Sequence, residues 1–197
     1  MKKIVIATKN PGKLREIKAA FEKLPVEILS LADFEKLPDA IEDGKTFEEN
    51  ARIKAKFFSE KTKLACLADD SGLEVEALNG APGVFSARFS GYHASDGENN
   101  EKLLSELEKN QIEESAADYR CALCFHDVNG EEILTSGIVN GTIKKIPRGS
   151  GGFGYDPYFY INENKTMAEL TAEEKDAISH RGEALRQMVS KLKERLL

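Results

Sequence analysis

The sequence predicts an α/β protein in which helices cover a mixed β-sheet, and three observations support this prediction. Short apolar runs typical of buried strands alternate with segments of helical periodicity in the first half of the chain. In the second half, alternating apolar residues flank Asn129-Gly130, a strong signal for a β-hairpin and hence for antiparallel pairing. The sequence contains no repeat or low-complexity tract. Alternating strands and helices followed by a hairpin are typical of a mixed sheet.

The 197 residues suffice for one sizeable core, or for a core and a small lobe. The formal net charge of −6 argues against sequence-independent binding to nucleic acid or acidic membranes, which needs many Lys and Arg residues. No stretch approaches the roughly 18 apolar residues of a membrane helix, and residues 1–5 lead into a strand rather than a signal-peptide core. We therefore expect a cytoplasmic protein that binds neither nucleic acid nor membrane.

The cysteines indicate a reducing compartment, because their number, three, is odd. Cys121 and Cys124 form a C-x-x-C pattern inside a predicted strand, where their side chains would diverge. Such a pair is a poor zinc site. We expect these thiols to pack in the core, as free cysteines usually do.

The first strand is predicted over residues 4–7, and a turn at residues 10–12 leads into a helix. Residues 8–13 lie between the two, where free backbone N–H groups and the helix dipole favour an anion such as phosphate. The segment is not a P-loop, because Leu14 stands at the position of the metal-binding hydroxyl. The alternative is an ordinary solvated loop. Apolar positions at helical spacing are Leu14, Ile17, Phe21 and Leu24.

Adjacent carboxylates at Asp69 and Asp70 are the most informative feature of the chain. The apolar run at residues 65–68 predicts a buried strand that carries both acids to its carboxyl end, where we expect a turn. Two carboxylates this close repel each other unless a cation or a shared proton relieves the repulsion. Glu42 adds a third acid, and Mg²⁺ typically takes one or two carboxylates together with substrate phosphates and water. The alternative is that the aspartates cap a turn.

Three pairs of polar residues, each three positions apart, predict capping boxes at helix starts. The pairs are Thr46 with Glu49, Ser95 with Glu98, and Thr171 with Glu174. A final helix begins after residues 179–182 and runs to the C-terminus. Its apolar positions are Leu185, Val189, Leu192 and Leu196.

The remaining strands are predicted from alternation of apolar and polar residues. Residues 73–77 alternate in this way and indicate a half-exposed strand that a turn-rich segment at residues 79–83 closes. The hairpin around Asn129-Gly130 joins a strand over residues 119–125 to one over residues 133–143.

Two later motifs are candidates for ligand binding. In residues 149–157, glycines that permit close backbone approach surround two aromatics and an acid. An aromatic side chain there could stack on a nucleobase, and Asp156 could bind a base or ribose edge. Residues 179–182, with Lys175 shortly before them, supply donors for an oxygen-rich substrate. The alternatives are a glycine-rich sheet corner and, for His180, a helix-capping surface residue.

These motifs together resemble the inosine triphosphate pyrophosphatase family, also called the non-canonical purine nucleoside triphosphate pyrophosphatases, over nearly the whole chain. The family motifs stand here as Thr8-x-Asn10-x-x-Lys13, Thr46-Phe47-x-Glu49-Asn50-Ala51, Ala68-Asp69-Asp70-Ser71-Gly72-Leu73, Gly80-Ala81-Pro82-Gly83 with Ser86-Ala87-Arg88, residues 151–157, and Ser179-His180-Arg181-Gly182. The resemblance implies one domain over residues 1–197. It also implies an elongated mixed sheet with helices on both sides, an active-site cleft between two lobes, and a homodimer.

The implied activity is hydrolysis of ITP, dITP and XTP between the α and β phosphates to the nucleoside monophosphate and pyrophosphate, with Mg²⁺ as cofactor. Such a reaction keeps deaminated purines out of DNA and RNA. By the resemblance, Glu42 and Asp70 bind the metal, and Asp70 accepts the proton of the attacking water. Asp69 is a supporting acid and a possible further ligand.

The resemblance also assigns a substrate-binding set. Its triphosphate part is Thr8, Lys9, Asn10, Gly12, Lys13 and Lys54, and its remaining part is Ser71, Phe153, Gly154, Tyr155, Asp156, Lys175, His180 and Arg181. In this set Phe153 stacks on the purine. Two alternatives stay open: a septum-inhibitor type of pyrophosphatase with other nucleotides as substrates, which residues 179–182 argue against, and a nucleotide sensor without hydrolytic activity.

Overall fold

The computed structural model describes residues 2–196 of the chain, with side chains up to residue 195. Met1 and Leu197 of the predicted domain, and the side chain of Leu196, lie outside the described residues. The strands are β1 (Lys2–Ala7), β2 (Val26–Ser30), β3 (Ala65–Val75), β4 (Glu114–His126), β5 (Glu132–Lys144), β6 (Phe159–Asn162) and β7 (Lys165–Thr166). The α-helices are α1 (Pro11–Phe21), α2 (Phe47–Thr62), α3 (Asp96–Lys109), α4 (Ala172–Ile178) and α5 (His180–Leu196).

The seven strands form one sheet in the order β2-β1-β3-β4-β5-β6-β7. β1 runs parallel to both β2 and β3, whereas β6 runs antiparallel to β5 and β7. This arrangement confirms the predicted α/β fold with a mixed sheet. Within the described residues, no helix is long and apolar enough to cross a membrane.

The chain folds into two compact units, and the segments that form them alternate along the sequence. The first unit comprises the chain up to Asp70, Cys121–Gly137 and the chain from Arg181 onward. The second unit comprises Ser71–Arg120 and Ile138–His180. The predicted cleft between two lobes stays a prediction.

In the core of the first unit, α1 and α5 pack against the same face of β1 and β3, and consecutive residues of both strands are buried on both faces. Continuous apolar runs in both strands reflect this two-sided burial, which is typical of parallel strands. Leu24, predicted within the first helix, instead follows the end of α1 and is still buried. Core side chains of this unit include Ile4, Ile6, Ile17, Phe21, Leu67, Leu123, Leu185 and Met188.

The core of the second unit packs α3 against strands of the sheet, with Leu73, Val75, Leu103, Leu107, Ile143 and Phe159 among its residues. Gly72 allows the short 3-10 segment Gly83–Arg88 to approach β3 closely, because a Cβ at position 72 would lie 2.3 Å from Ser86 Oγ. That hydroxyl accepts a hydrogen bond from Leu73 N (2.9 Å). Glycine is therefore required at this position.

The turn predicted after Asp69 and Asp70 is wrong. Residues 65–68 and 73–75 belong to one strand, β3, which passes through both acids and ends in the 3-10 turn Glu76–Leu78. Both aspartates are buried. Cationic partners offset the cost of burying the Asp69 carboxylate. The backbone can therefore keep its strand pairing through both acids.

All three predicted helix starts are confirmed, and two of the three caps are complete capping boxes. Ser95 and Thr171 form complete capping boxes. Thr46 accepts from Glu49 N (3.1 Å), but the Glu49 carboxylate accepts from Lys45 N (2.6 Å) instead of completing the box. Two boundaries also differ from the prediction: α1 begins at Pro11, within the predicted turn, and α5 begins at His180 itself.

Candidate active site

The loop between β1 and α1 is ordered by its own side chains. Thr8 Oγ1 accepts a hydrogen bond from Asn10 N (3.1 Å), and Asn10 Oδ1 caps the helix by accepting from Lys13 N (3.0 Å). Pro11 occupies the first helical position, where its missing N–H costs nothing. Gly12 is buried, while Lys9 is exposed and pairs with Asp39. The helix N-terminus is thus preorganised for an anion.

Asp69 is the centre of a buried charge network. Its two oxygens accept from Lys13 Nζ (2.5 Å) and from Arg181 Nε (2.8 Å), and Arg181 Nη1 reaches Glu16 at 2.6 Å. Burial acts to raise the pKa of Asp69, but Arg181 and Lys13 together hold it well below its usual value. Cys121 Sγ also donates to Asp69, at 3.3 Å. Asp69 therefore stays ionised.

Asp70 experiences the opposite environment. Burial raises its pKa to about 6, with Lys54 and Lys13 opposing the shift and Glu42 adding to it. Its Oδ2 atom is buried and has no hydrogen-bond partner in the described part of the chain. The two adjacent acids therefore differ in their environment, which lowers the pKa of Asp69 and raises that of Asp70.

Glu42 and Asp70 are compatible with a metal ion that is completed by substrate. Within residues 2–196, no group of three His, Cys, Asp or Glu side chains is arranged to hold a metal by itself. Mg²⁺ commonly takes only one or two carboxylates and fills its remaining positions with phosphate oxygens and water. The orphaned Asp70 Oδ2 fits such an ion. Lys54 Nζ lies 2.6 Å from Glu42 and holds a positive charge beside that ligand.

In the second unit, Phe153, Asp156 and Lys175 form one cluster. Asp156 Oδ2 accepts from Phe153 N (2.9 Å) and from Lys175 Nζ (2.5 Å). The Lys175 ammonium lies 4.5 Å from the centroid of the Phe153 ring, within cation–π range. Gly152 has φ +72°, and a Cβ there would lie 2.0 Å from Asp156 Oδ2. The glycines therefore allow the carboxylate to anchor its own loop.

The same loop is also tied to α3. Gly154 N donates to Asp96 Oδ2 (2.7 Å), and Gly154 O accepts from Asn100 Nδ2 (2.9 Å). The Tyr155 hydroxyl donates to Ser86 O (2.7 Å), and burial raises the pKa of that phenol. The sequence analysis assigned no role to Asp96, Asn100 or Ser86. The only sign of these residues in the sequence was that Ser86 lies in a family motif and that Asp96 and Asn100 lie close to the Ser95 cap.

His180 lies at the start of α5, is buried, and stacks on Tyr119 with ring centroids 4.8 Å apart and an interplanar angle of 13°. The surface location considered for His180 is therefore wrong. Ser71, the first residue of the second unit, is half-buried in β3.

The structure divides the predicted site residues between the two units. Those in the first unit are Thr8, Lys9, Asn10, Gly12, Lys13, Glu42, Lys54, Asp69, Asp70 and Arg181, and those in the second unit are Ser71, Phe153, Gly154, Tyr155, Asp156, Lys175 and His180. The base-binding role that the resemblance implies for Arg181 stays a prediction. In the structure its guanidinium is buried between the carboxylates of Asp69 and Glu16.

Sequence reasoning missed Glu16 and the contact of Cys121 with Asp69. Glu16 lies three residues after Lys13 on α1, a spacing that places both on one helix face. Cys121 was expected to pack in the core, and all three cysteines are indeed buried free thiols.

The profile of the Ham1 family matches residues 4–191. A dITP/XTP pyrophosphatase from Geobacter sulfurreducens is 54% identical over 186 residues, 94% of each chain, and one from Bacillus anthracis is 47% identical over 98% of each. A solved HAM1 protein from Coxiella burnetii superposes with a TM-score of 0.88 at 42% identity, over 98% of this chain and 100% of that one. These likenesses confirm the resemblance drawn from the motifs, and the chain belongs to the Ham1 family.

Proposed function

We propose that this protein hydrolyses dITP, ITP and XTP at the α–β phosphate bond to the nucleoside monophosphate and pyrophosphate. Its role is then to remove deaminated purine nucleotides before they enter DNA or RNA. The observation that carries the proposal is the contrast between Asp69, held ionised by two cations, and Asp70, whose pKa is raised to about 6. A base whose pKa lies near neutrality, next to a helix N-terminus that favours anions, suits the hydrolysis of a phosphate anhydride. The names of the relatives support it.

Asp70 is the proton acceptor in this mechanism. At pH above about 6 its carboxylate is ionised and takes a proton from water, while the water oxygen bonds to phosphorus and the bridging P–O bond breaks. The electron pair of that bond leaves with the departing group, so that the products are the nucleoside monophosphate and pyrophosphate. Lys13 and the N-terminus of α1 stabilise the added negative charge of the triphosphate. Asp69 is the weaker candidate, because its low pKa makes it a poor base.

Pyrophosphatases of this family generally depend on a divalent metal ion, and we propose Mg²⁺ here. Glu42 and Asp70 would hold it, with Asp69 as a possible further ligand. When bound, the ion neutralises phosphate charge and polarises the phosphoryl group. Lys54 balances the charge of Glu42 in the absence of the ion.

Selectivity for hypoxanthine and xanthine would come from the second unit. Phe153 offers an aromatic face, and Lys175 and His180 offer donors near the anchored Asp156 loop. A pocket that donates to a 6-oxo group leaves those donors without partners against the 6-amino group of adenine, and buried polar groups without partners are costly.

We further propose that the protein works as a cytoplasmic homodimer, which the family resemblance alone supports. The measurement that tests the dimer is the mass of the purified protein by light scattering.

The function is tested by a product assay with ITP, dITP, XTP, ATP and GTP, with Mg²⁺ and with a chelator, in which pyrophosphate and phosphate are measured separately. We expect pyrophosphate from the three deaminated purines and no product after chelation. Phosphate as the product would contradict cleavage at the α–β bond. Absence of turnover with every purine would instead favour the nucleotide sensor or a pyrimidine substrate.

Phe153→Ala tests the stacking role. We expect the KM for dITP to rise about tenfold and kcat to change by less than threefold, because loss of one base–aromatic stack costs about 1–3 kcal/mol of binding. Phe57→Ala is the matched control, since a lysine ammonium also lies over that ring, 5.6 Å from its centroid. A fall in kcat with unchanged KM would argue against stacking.

A further inference from the structure

The backbone N–H and C=O groups of Gly154 are both held by side chains of α3. Gly154 N donates to Asp96 Oδ2 (2.7 Å), and Gly154 O accepts from Asn100 Nδ2 (2.9 Å). The two side chains stand four residues apart on the helix and therefore lie on one face of it. One helix face thus fixes both polar groups of a glycine that lies 58 and 54 residues away in sequence.

Phe153 lies directly before this anchored glycine. Its own N–H donates to Asp156 Oδ2 (2.9 Å), so the backbone is held by side chains on both sides of the ring. Residues 151–154 lie outside the helices and strands, and Gly152 and Gly154 have φ of +72° and +64°. Backbone of this kind has no ladder of secondary-structure hydrogen bonds, so other groups must pair with it. The direction of the Phe153 ring therefore depends on Asp156 and on α3.

Asn100 makes a contact that the folding of α3 does not require. Its Oδ1 atom is buried and has no hydrogen-bond partner in residues 2–196, which is costly. Alanine would avoid that cost and favours a helix more than asparagine does. The neighbouring Asn99, by contrast, accepts from Ser90 N (2.9 Å) and donates to Ala87 O (3.3 Å). Asn99 therefore fits a structural role, whereas Asn100 fits a role in the loop.

Asp96 is the second contact from α3. The cap of the helix does not use it, because Ser95 and Glu98 form the complete capping box. Its carboxylate instead accepts a charge-assisted hydrogen bond from the loop. This contact is exposed, whereas the contact of Asn100 is partly buried, where a hydrogen bond is stronger. We therefore expect Asn100 to contribute more than Asp96.

We propose that Asn100, assisted by Asp96, is a positioning residue that holds the Phe153 ring in the orientation that stacks on the purine base. This inference rests on the proposed function, in which Phe153 binds the base. Both residues act through Gly154 and not by contact with the base. Their effect should therefore fall on recognition of the base rather than on the hydrolytic step.

A double-mutant cycle with Phe153→Ala tests this role. We expect Asn100→Ala to raise the KM for dITP about threefold to tenfold and to keep kcat within about twofold, because a displaced ring loses part of the stack. In the Phe153→Ala background the same change should raise the KM by less than about 1.5-fold, since no ring is left to position. Asp96→Ala should follow the same pattern with a smaller effect, and Asp96→Asn, which keeps an acceptor oxygen, should retain most of the wild-type affinity.

Asn99→Ala is the matched control on the same helix. It should lower the melting temperature, because backbone groups lose their partners, and keep the KM within about twofold of wild type. Amide hydrogen exchange measures the loop independently of catalysis. Asn100→Ala should speed exchange at the N–H groups of Phe153 and Gly154, and Asn99→Ala should not.

Three results would overturn the positioning role. The first is a folded Asn100→Ala protein that keeps the wild-type KM while Phe153→Ala raises it. The second is an equal rise in KM on Asn100→Ala with and without the Phe153 ring, and the third is unchanged amide exchange in the loop. Failure of the proposed function is distinguishable, because Phe153→Ala alone would then leave the KM unchanged, or the wild type would release no pyrophosphate from dITP, and the positioning role would fail with it.

Discussion

Asp70→Asn is expected to abolish turnover and to make the metal-free protein more stable. The amide cannot accept the proton of water, so kcat should fall by about 10³-fold or more. The same change removes a buried carboxylate whose pKa is raised to about 6 from the usual value of an aspartate, about 3.9. One pKa unit corresponds to about 1.4 kcal/mol, so the free energy of unfolding should rise by up to about 3 kcal/mol.

The sign of this stability change follows from proton linkage. The folded state holds the Asp70 proton more tightly than the unfolded state does, so the wild-type protein loses stability as pH rises from about 4 to about 6. Asp70→Asn should therefore match wild type below pH 4 and exceed it above pH 6. Denaturant unfolding at pH 4 and pH 7.5, with a chelator, measures the difference.

The control for this prediction is Glu60→Gln, which neutralises an exposed acid on α2 and should change neither kcat nor stability appreciably. Added Mg²⁺ should raise the melting temperature of wild type more than that of Asp70→Asn, because the variant lacks a charged ligand. If Asp70→Asn retains turnover, the proton acceptor is a residue other than Asp70. If Asp70→Asn is less stable than wild type at pH 7.5, the fold stabilises the ionised Asp70 carboxylate.

Arg181→Met is expected to have the largest effect on folding. Arg181 is 2% exposed and pairs with Asp69 and Glu16 at 2.8 Å and 2.6 Å. Removing one partner of a buried ion pair leaves an uncompensated charge and typically costs about 3–5 kcal/mol. Urea unfolding at pH 7.5 measures this loss. Arg195→Met, on the same helix, removes only an exposed pair with Glu131 and should cost less than about 1 kcal/mol.

The loss of unfolding free energy in Arg181→Met should depend on pH. Wild-type Asp69 has a lowered pKa, so its contribution to stability is present above the unfolded pKa of about 3.9 and is lost as pH falls further. In Arg181→Met that carboxylate takes up a proton at higher pH. The stability difference should therefore be greatest at pH 7.5 and shrink toward pH 4. A loss independent of pH would assign the effect to packing of the Arg181 side chain instead.

The sequence by itself was sufficient for the local elements and for the family. Apolar runs and helical spacing identified β1 and α1, two complete capping boxes identified the starts of α3 and α4, and Asn129-Gly130 identified the loop between β4 and β5. These features depend on residues within a few positions of one another, so a linear pattern contains them. The ordered motifs likewise identified the family, since each keeps its spacing along the chain.

Only the tertiary structure decided how the charged residues are grouped. Asp69 and Arg181 are 112 residues apart in sequence, and their pairing with Lys13 and Glu16 depends on where α1, β3 and α5 meet. The same packing lets β3 continue through the two acids where the local pattern predicted a turn. It also lowers the pKa of Asp69 and raises that of Asp70, although the two are chemically identical neighbours. Burial and ion pairing set a pKa, and both are properties of the folded environment that residue identity does not contain.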